Sequence, residues 1–304
     1  MEIFTKLYSS LLPYLLCIPI GYFLKEKKLI PKWIIHKPLL FVFMPILVVD
    51  HVLEASVAKL TILPIISFGL AFLMVFPATW IYKHFHELEN KNLLRSSFSF
   101  FNVAFFGIPT VQALFGKEAV TTLICIYIGT ALYGNIIGYI QVAKSKFGTK
   151  KSIIEVFKVP FIYVFILAVI LKIMQYEPPE FVSPVVDTLG IIVSVAGMLI
   201  IGMNITNINF KKLNWNYYSK VLGIRAISAV VITAALMAAE YFLVDGLSAE
   251  ERQVMALIPL FPIAANLTVF ASFLESKEKE SALLVLLSMA LSLVLVPLLA
   301  MFFN

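Results

Sequence analysis

Charge is scarce in this chain. Only 14% of its 304 residues are Asp, Glu, Lys or Arg, against about 25% in soluble domains. A surface so poor in charge cannot carry 61% hydrophobic residues in water. Cysteine is nearly absent too. Cys17 and Cys125 are the only two, and both lie inside apolar runs. That argues against a disulfide framework or a thiolate metal centre and leaves them as small core residues. Missing as well are a His-Glu-x-x-His helix, a phosphate-binding glycine loop, a nucleophile elbow and a paired-Asp centre. No cofactor, no metal and no catalytic residue is therefore expected, and the chain is not expected to be an enzyme. Acidic residues number 18 against 24 basic ones, a formal charge of +6. The basic residues stand in short clusters between apolar runs, so the expected partner is the lipid bilayer and not nucleic acid.

What is present is apolar length. Mean hydropathy is +0.94, and a bilayer-spanning helix needs about 20 mostly apolar residues. The charged breaks divide the sequence into ten such segments: Leu7–Leu24, Pro38–Leu53, Leu60–Tyr82, Leu93–Phe115, Ala119–Val142, Ile153–Met174, Phe181–Ile205, Ser219–Val244, Arg252–Leu274 and Ser281–Phe303. The first segment does not resemble a cleaved signal peptide, because its lysines follow the apolar run. Of the 24 basic residues, 19 fall after odd-numbered segments and 5 on the other side. Positive residues favour the cytoplasm. Both termini are accordingly expected outside a cell membrane, with the Lys144–Lys158 linker inside.

That linker also divides the chain into residues 1–150 and 151–304. Five crossings separate the halves, so any five-helix repeat is inverted. Interrupted helices in corresponding positions of such repeats point to a secondary transporter's site. The fourth segment carries Asn102 and, beyond it, Gly107-Ile108-Pro109. Proline removes a backbone donor and glycine resists unwinding least, so a break is expected there, mid-bilayer. The ninth segment carries Pro259, Pro262, Ala264, Ala265, Asn266 and Thr268, and a second break is expected there. For either break alone the competing reading is a proline kink packed between helices. Two in corresponding places favour crossed, unwound segments. The half-helix amino ends would then present partial positive charge to an anion. Asn102 and Asn266 each offer an uncharged donor and acceptor to a carboxylate, the competing reading being an interhelical hydrogen bond. Gln112, Asn135, Gln141 and Thr268 are further pore-lining candidates.

Asn-x-x-x-x-Gly-Ile-Pro, at Asn102 to Pro109, resembles the plant PIN auxin exporters and the wider auxin efflux carrier family, within the bile-acid, arsenite and riboflavin transporter superfamily. The run Pro262, Ala265, Asn266, Val269, Phe270, Ala271 is similar to that family's ninth helix, especially in bacterial members. The sharp match is confined to these two segments. The resemblance implies an all-α membrane fold of ten helices in two inverted five-helix repeats, with the fourth and ninth broken and crossing. It further implies a scaffold from helices 1, 2, 6 and 7 that can form a homodimer, and a moving transport domain from helices 3–5 and 8–10. Substrate contacts would come from Asn102, Gly107, Ile108, Pro109, Pro262, Ala265, Asn266 and Thr268.

Ionisable residues inside spans are few. Asp50, Glu54, Asp187 and Glu240 are placed near outer ends and Arg225 near an inner end. Their competing reading is interface solvation by snorkelling. Asp50, Asp187 and Glu240 are the candidates for coupling. The sequence therefore leads to the expectation of a carrier exporting a small organic acid anion by an elevator-type alternating-access movement. One alternative is a sodium- or proton-coupled symporter of the bile-acid type, and the other, from a different class, is an intramembrane enzyme or sensor.

Overall fold

Long apolar runs must satisfy every main-chain polar group internally when water is excluded, and the helix does so. The computed structural model describes residues 2–55, 61–85, 90–206 and 208–301, with side chains from Thr5 onward. The expected span ends at Leu60 and Phe303 lie outside them. Among the described residues there is no strand. In chain order come α1 (Thr5–Glu26), α2 (Trp33–Glu54), α3 (Ile62–His84), α4 (Lys91–Phe115) and α5 (Glu118–Ala143). They are followed by a shorter pair, α6 (Thr149–Val156) and α7 (Phe161–Ile173), and then by α8 (Val182–Asn204) and α9 (Trp215–Leu243). Last come two short helices, α10 (Ala249–Leu257) and α11 (Asn266–Phe273), and the long α12 (Glu278–Ala300). Phe76, Ile173, Ile227, Val231, Phe242 and Leu243 stand exposed on the outer faces. Such faces suit lipid and would be a liability in water. The chain is a multi-pass membrane protein.

Eight of these helices are long and apolar enough to cross a bilayer individually, and α6 with α7 makes a ninth across a 43° bend. The two remaining differences from ten continuous spans have local causes. The expected sixth span, Ile153–Met174, turns at Pro160, which caps α7 and cannot continue α6's hydrogen bonding. The expected ninth span, Arg252–Leu274, is divided between α10 and α11, of nine and eight residues. Neither reaches across alone.

Apolar side chains gain little from meeting each other when the alternative is lipid, so close backbone approach carries helix association. Glycines provide it where α1 meets α8. A Cβ at Gly21 would collide with the Leu199 carbonyl, and one at Gly202 with the Ile18 carbonyl. Other extensive pairings join α2 to α7 and α3 to α5. Between these groups run α4 and the α10–α11 pair, buried around Phe98, Phe106, Phe261 and Phe270. Their interruptions lie there.

Candidate functional site at the crossing of two interrupted helices

α4 loses regularity at residues 100–102. Residues Lys91–Ser99 are α-helical, Val103–Gly107 form one wide π turn, and Ile108–Phe115 are α-helical again. The break expected at Gly107–Pro109 is thus found one to two turns earlier. Pro109 lies in the first turn of the second half-helix, where its missing N–H is not needed, and the widened turn before it relieves the ring's clash. Asn102 caps this half-helix, its Oδ1 accepting from the Phe105 N–H at 3.2 Å. Gly107 serves packing, since a Cβ there would stand 2.7 Å from the Phe261 ring.

The second interruption falls where Pro262 places it. α10 ends in a single 3-10 turn, Ile258–Leu260, Phe261 is extended, and α11 begins at Asn266. The two breaks touch. The Asn102 N–H donates to the Pro262 carbonyl at 2.9 Å, and the Phe106 and Phe261 rings meet edge-on at 5.5 Å. The Ile263 N–H donates to Ser288 Oγ of α12 at 2.9 Å. Main-chain groups freed by each break are thus satisfied by the other break and by a neighbouring helix, as burial demands.

Arg225 completes the crossing. Its guanidinium donates to the carbonyls of Ser97 at 3.2 Å, Phe100 at 2.9 Å and Phe261 at 3.2 Å, so one side chain holds both interruptions. It also lies 4.7 Å over the Phe101 ring. The expectation that Arg225 snorkels to an interface is overturned: it is buried. The cause is helix length. α9 begins at Trp215 and not at Ser219, which carries Arg225 about 15 Å into the helix. An arginine so deep in an apolar helix needs fixed acceptors, and that was the signal available in the sequence.

Two cavities open at opposite ends of α2, and one of them approaches the crossing. One, of about 500 Å³, opens at the end of the bundle that carries Asp50. It runs along the second half of α4 from Gln112 through Pro109 and Ile108 to Ala104, a depth of about 12 Å, and stops two residues from Asn102. Its opposite walls are Asp50, His51 and Glu54 of α2 with Asp187 and Ser194 of α8, and Lys117 stands at its edge. The second cavity, of about 540 Å³, opens at the other end of α2, beside Lys25, Lys32, Lys146, Asn204 and Thr206. It is crossed by the Lys32–Glu278 ion pair, and Lys146 Nζ donates to the Leu274 carbonyl at 2.8 Å. Asn204 Nδ2 donates to Ser272 Oγ of α11 at 2.6 Å.

The sequence candidates therefore separate. Ile108, Pro109, Gln112, Asp50 and Asp187 share the first cavity. Asn102, Gly107 and Pro262 form the crossing. Ala265 packs beside Gly197 of α8, Asn266 is half-buried at the start of α11, and Thr268 is fully buried. Two polar atoms here, Asn102 Nδ2 and Thr268 Oγ1, are buried without a hydrogen-bond partner, a cost of about 1–3 kcal/mol each that a ligand group would relieve. Three further candidates lie apart from both cavities and from the crossing. Asn135 donates to the Ala131 carbonyl of its own helix at 2.9 Å, and Gln141 to the Tyr133 hydroxyl at 3.3 Å. Glu240 accepts from the Gly246 and Leu247 N–H groups at 2.8 and 3.0 Å and from Arg252 at 3.0 Å, holding the turn between α9 and α10. Glu54, His51 and Ser194 enter the cavity wall although the sequence argument did not select them as site residues. Comparison with models of known families and with characterised proteins finds no match to this chain.

Proposed function

We propose that the protein is a secondary transporter that exports a small organic acid anion, with the crossing of α4 and α10–α11 as its substrate site. The observation that carries this reading is the direct Asn102 N–H to Pro262 carbonyl bond between two interrupted helices, with a cavity that runs along the second half of α4 to within two residues of it. Helix breaks at depth cost backbone hydrogen bonds, and they are favoured where they line a polar pathway. The amino end of the half-helix after Asn102 and the unpartnered Asn102 Nδ2 supply partial positive charge and a donor. They suit a carboxylate of mono- or dicarboxylic type.

In this proposal the two inverted five-helix repeats implied by the resemblance to auxin efflux carriers underlie the paired breaks. The close α1–α8 and α2–α7 pairings correspond to a scaffold able to dimerise, and the elements around the crossing move against it as an elevator. The Lys32 end faces the cytoplasm, where the basic excess favours approach of an anion. A second reading, cation- or proton-coupled symport, is supported by the carboxylates of Asp50, Glu54 and Asp187 along the first cavity. Counterflow into proteoliposomes, run with a panel of labelled mono- and dicarboxylates, tests transport itself. Accumulation above that in protein-free vesicles for at least one acid is expected, and none for any acid would reject the proposal.

A further inference from the structure

The mouth of the first cavity poses an electrostatic problem for an anion carrier. Three carboxylates, Asp50, Glu54 and Asp187, face one ammonium, Lys117. Asp50, His51 and Glu54 share the last turn of α2, and ligand atoms of all three lie within 4.8 Å of one another. The turn also sits at a helix C-terminus, whose carbonyls favour a cation. One of those carbonyls, Leu53, is already met by the Lys172 ammonium.

The imidazole distinguishes this group from a cluster of acids. His51 has a side chain only 12% exposed, its Nδ1 is buried without a hydrogen-bond partner, and its ring is held edge-on against Tyr127 at 5.2 Å. The nearest carboxylate oxygen, Glu54 Oε2, stands 4.0 Å from that nitrogen. This is too long for a hydrogen bond. A tetrahedral cation bound at about 2.0–2.2 Å to each side would hold these two atoms roughly 3.3–3.6 Å apart, so they stand about half an ångström too far apart for it. Glu54 is half-exposed and free to close the remaining distance.

We infer that Asp50, His51 and Glu54 form a site for one divalent transition-metal cation of the zinc type at the mouth of this cavity. One imidazole with two carboxylates suits zinc, cobalt or manganese better than magnesium or calcium, which take oxygen ligands. A tetrahedral ion held by three protein ligands leaves one position open toward the cavity. The bound charge would also offset the acidic lining and make the vestibule hospitable to a carboxylate.

The test uses the purified full-length protein in detergent after chelator treatment. Zinc chloride is titrated while the melting temperature is followed, and cobalt chloride while visible absorption is followed. A saturable rise in melting temperature and four-coordinate cobalt bands at one equivalent are expected, with no rise on adding magnesium. His51→Gln and Glu54→Gln should each weaken zinc affinity by about tenfold or more. Glu54 is exposed enough for its variant to melt like wild type without metal, so misfolding cannot imitate loss of the site. Absence of a saturable zinc response, or equal affinity in both variants, would overturn the inference. No transported solute enters this readout, so its failure leaves the transport proposal standing, and failure of transport leaves the metal site standing.

Discussion

Replacing Arg225 by methionine tests how the crossing is held. The guanidinium makes three hydrogen bonds, to the carbonyls of Ser97, Phe100 and Phe261, and none of these accepts a main-chain N–H among the described residues. A hydrogen bond from a charged donor contributes about 1.5–3 kcal/mol, which gives a gross loss of roughly 4.5–9 kcal/mol. Methionine also removes a buried charge whose desolvation costs several kcal/mol, and this offsets part of the loss. The carbonyls remain behind without donors, so the loss wins by about 3 kcal/mol, or roughly a hundredfold in local opening. Hydrogen exchange in detergent, read over residues 97–104 and 259–266, should accelerate by that factor in Arg225→Met, with the α1–α8 contact unaffected. Arg225→Lys should recover only part of the protection, because an ammonium cannot match a planar fork of donors. Wild-type exchange at both breaks in Arg225→Met would refute the reasoning.

Asn102→Asp keeps an oxygen to cap the Phe105 N–H while replacing the free Nδ2 donor with an acceptor. Affinity for a transported acid, measured by thermal shift, should fall roughly ten- to a hundredfold, and unchanged affinity would return Asn102 to a capping role alone. Glu240→Gln should lower stability, because it weakens the ion pair with Arg252 and the capture of the turn after α9. It should leave the pH dependence of flux where it was, and a displaced pH profile would make Glu240 a coupling residue. Lys150→Cys should resist an impermeant thiol reagent in sealed cells until the membrane is permeabilised. Ready labelling would reverse the topology.

Much of this arrangement is legible in the sequence because a proline with an asparagine nearby recurs in two corresponding segments, whereas a proline alone, such as Pro297 of α12, also stands inside unbroken helix. Pro262 marks the second break where it occurs, and Asn102 marks the first even though Gly107 and Pro109 were assigned the unwinding. Those two residues misled because proline is comfortable in a helix's first turn, a context fixed only by the π turn before it. Arg225 and Glu240 looked alike in sequence, charged residues near span ends. Four extra residues at the start of α9 send one into the crossing, and the turn after α9 captures the other. His51 carries no such mark in the sequence. Its relation to Glu54 depends on helical geometry, and its burial depends on Tyr127 of α5.

The central claim, carrier-mediated export of an organic anion, is tested against its sodium-coupled rival most directly by efflux of a labelled acid identified by counterflow. Proteoliposomes would hold choline in place of sodium, with the potential clamped by potassium and valinomycin. Each 100 mV acts on a single anionic charge with about 2.3 kcal/mol. The account predicts that efflux persists in choline and accelerates as the interior is made negative. Efflux that collapses without sodium, or that ignores the clamped potential while following a pH gradient, would contradict it.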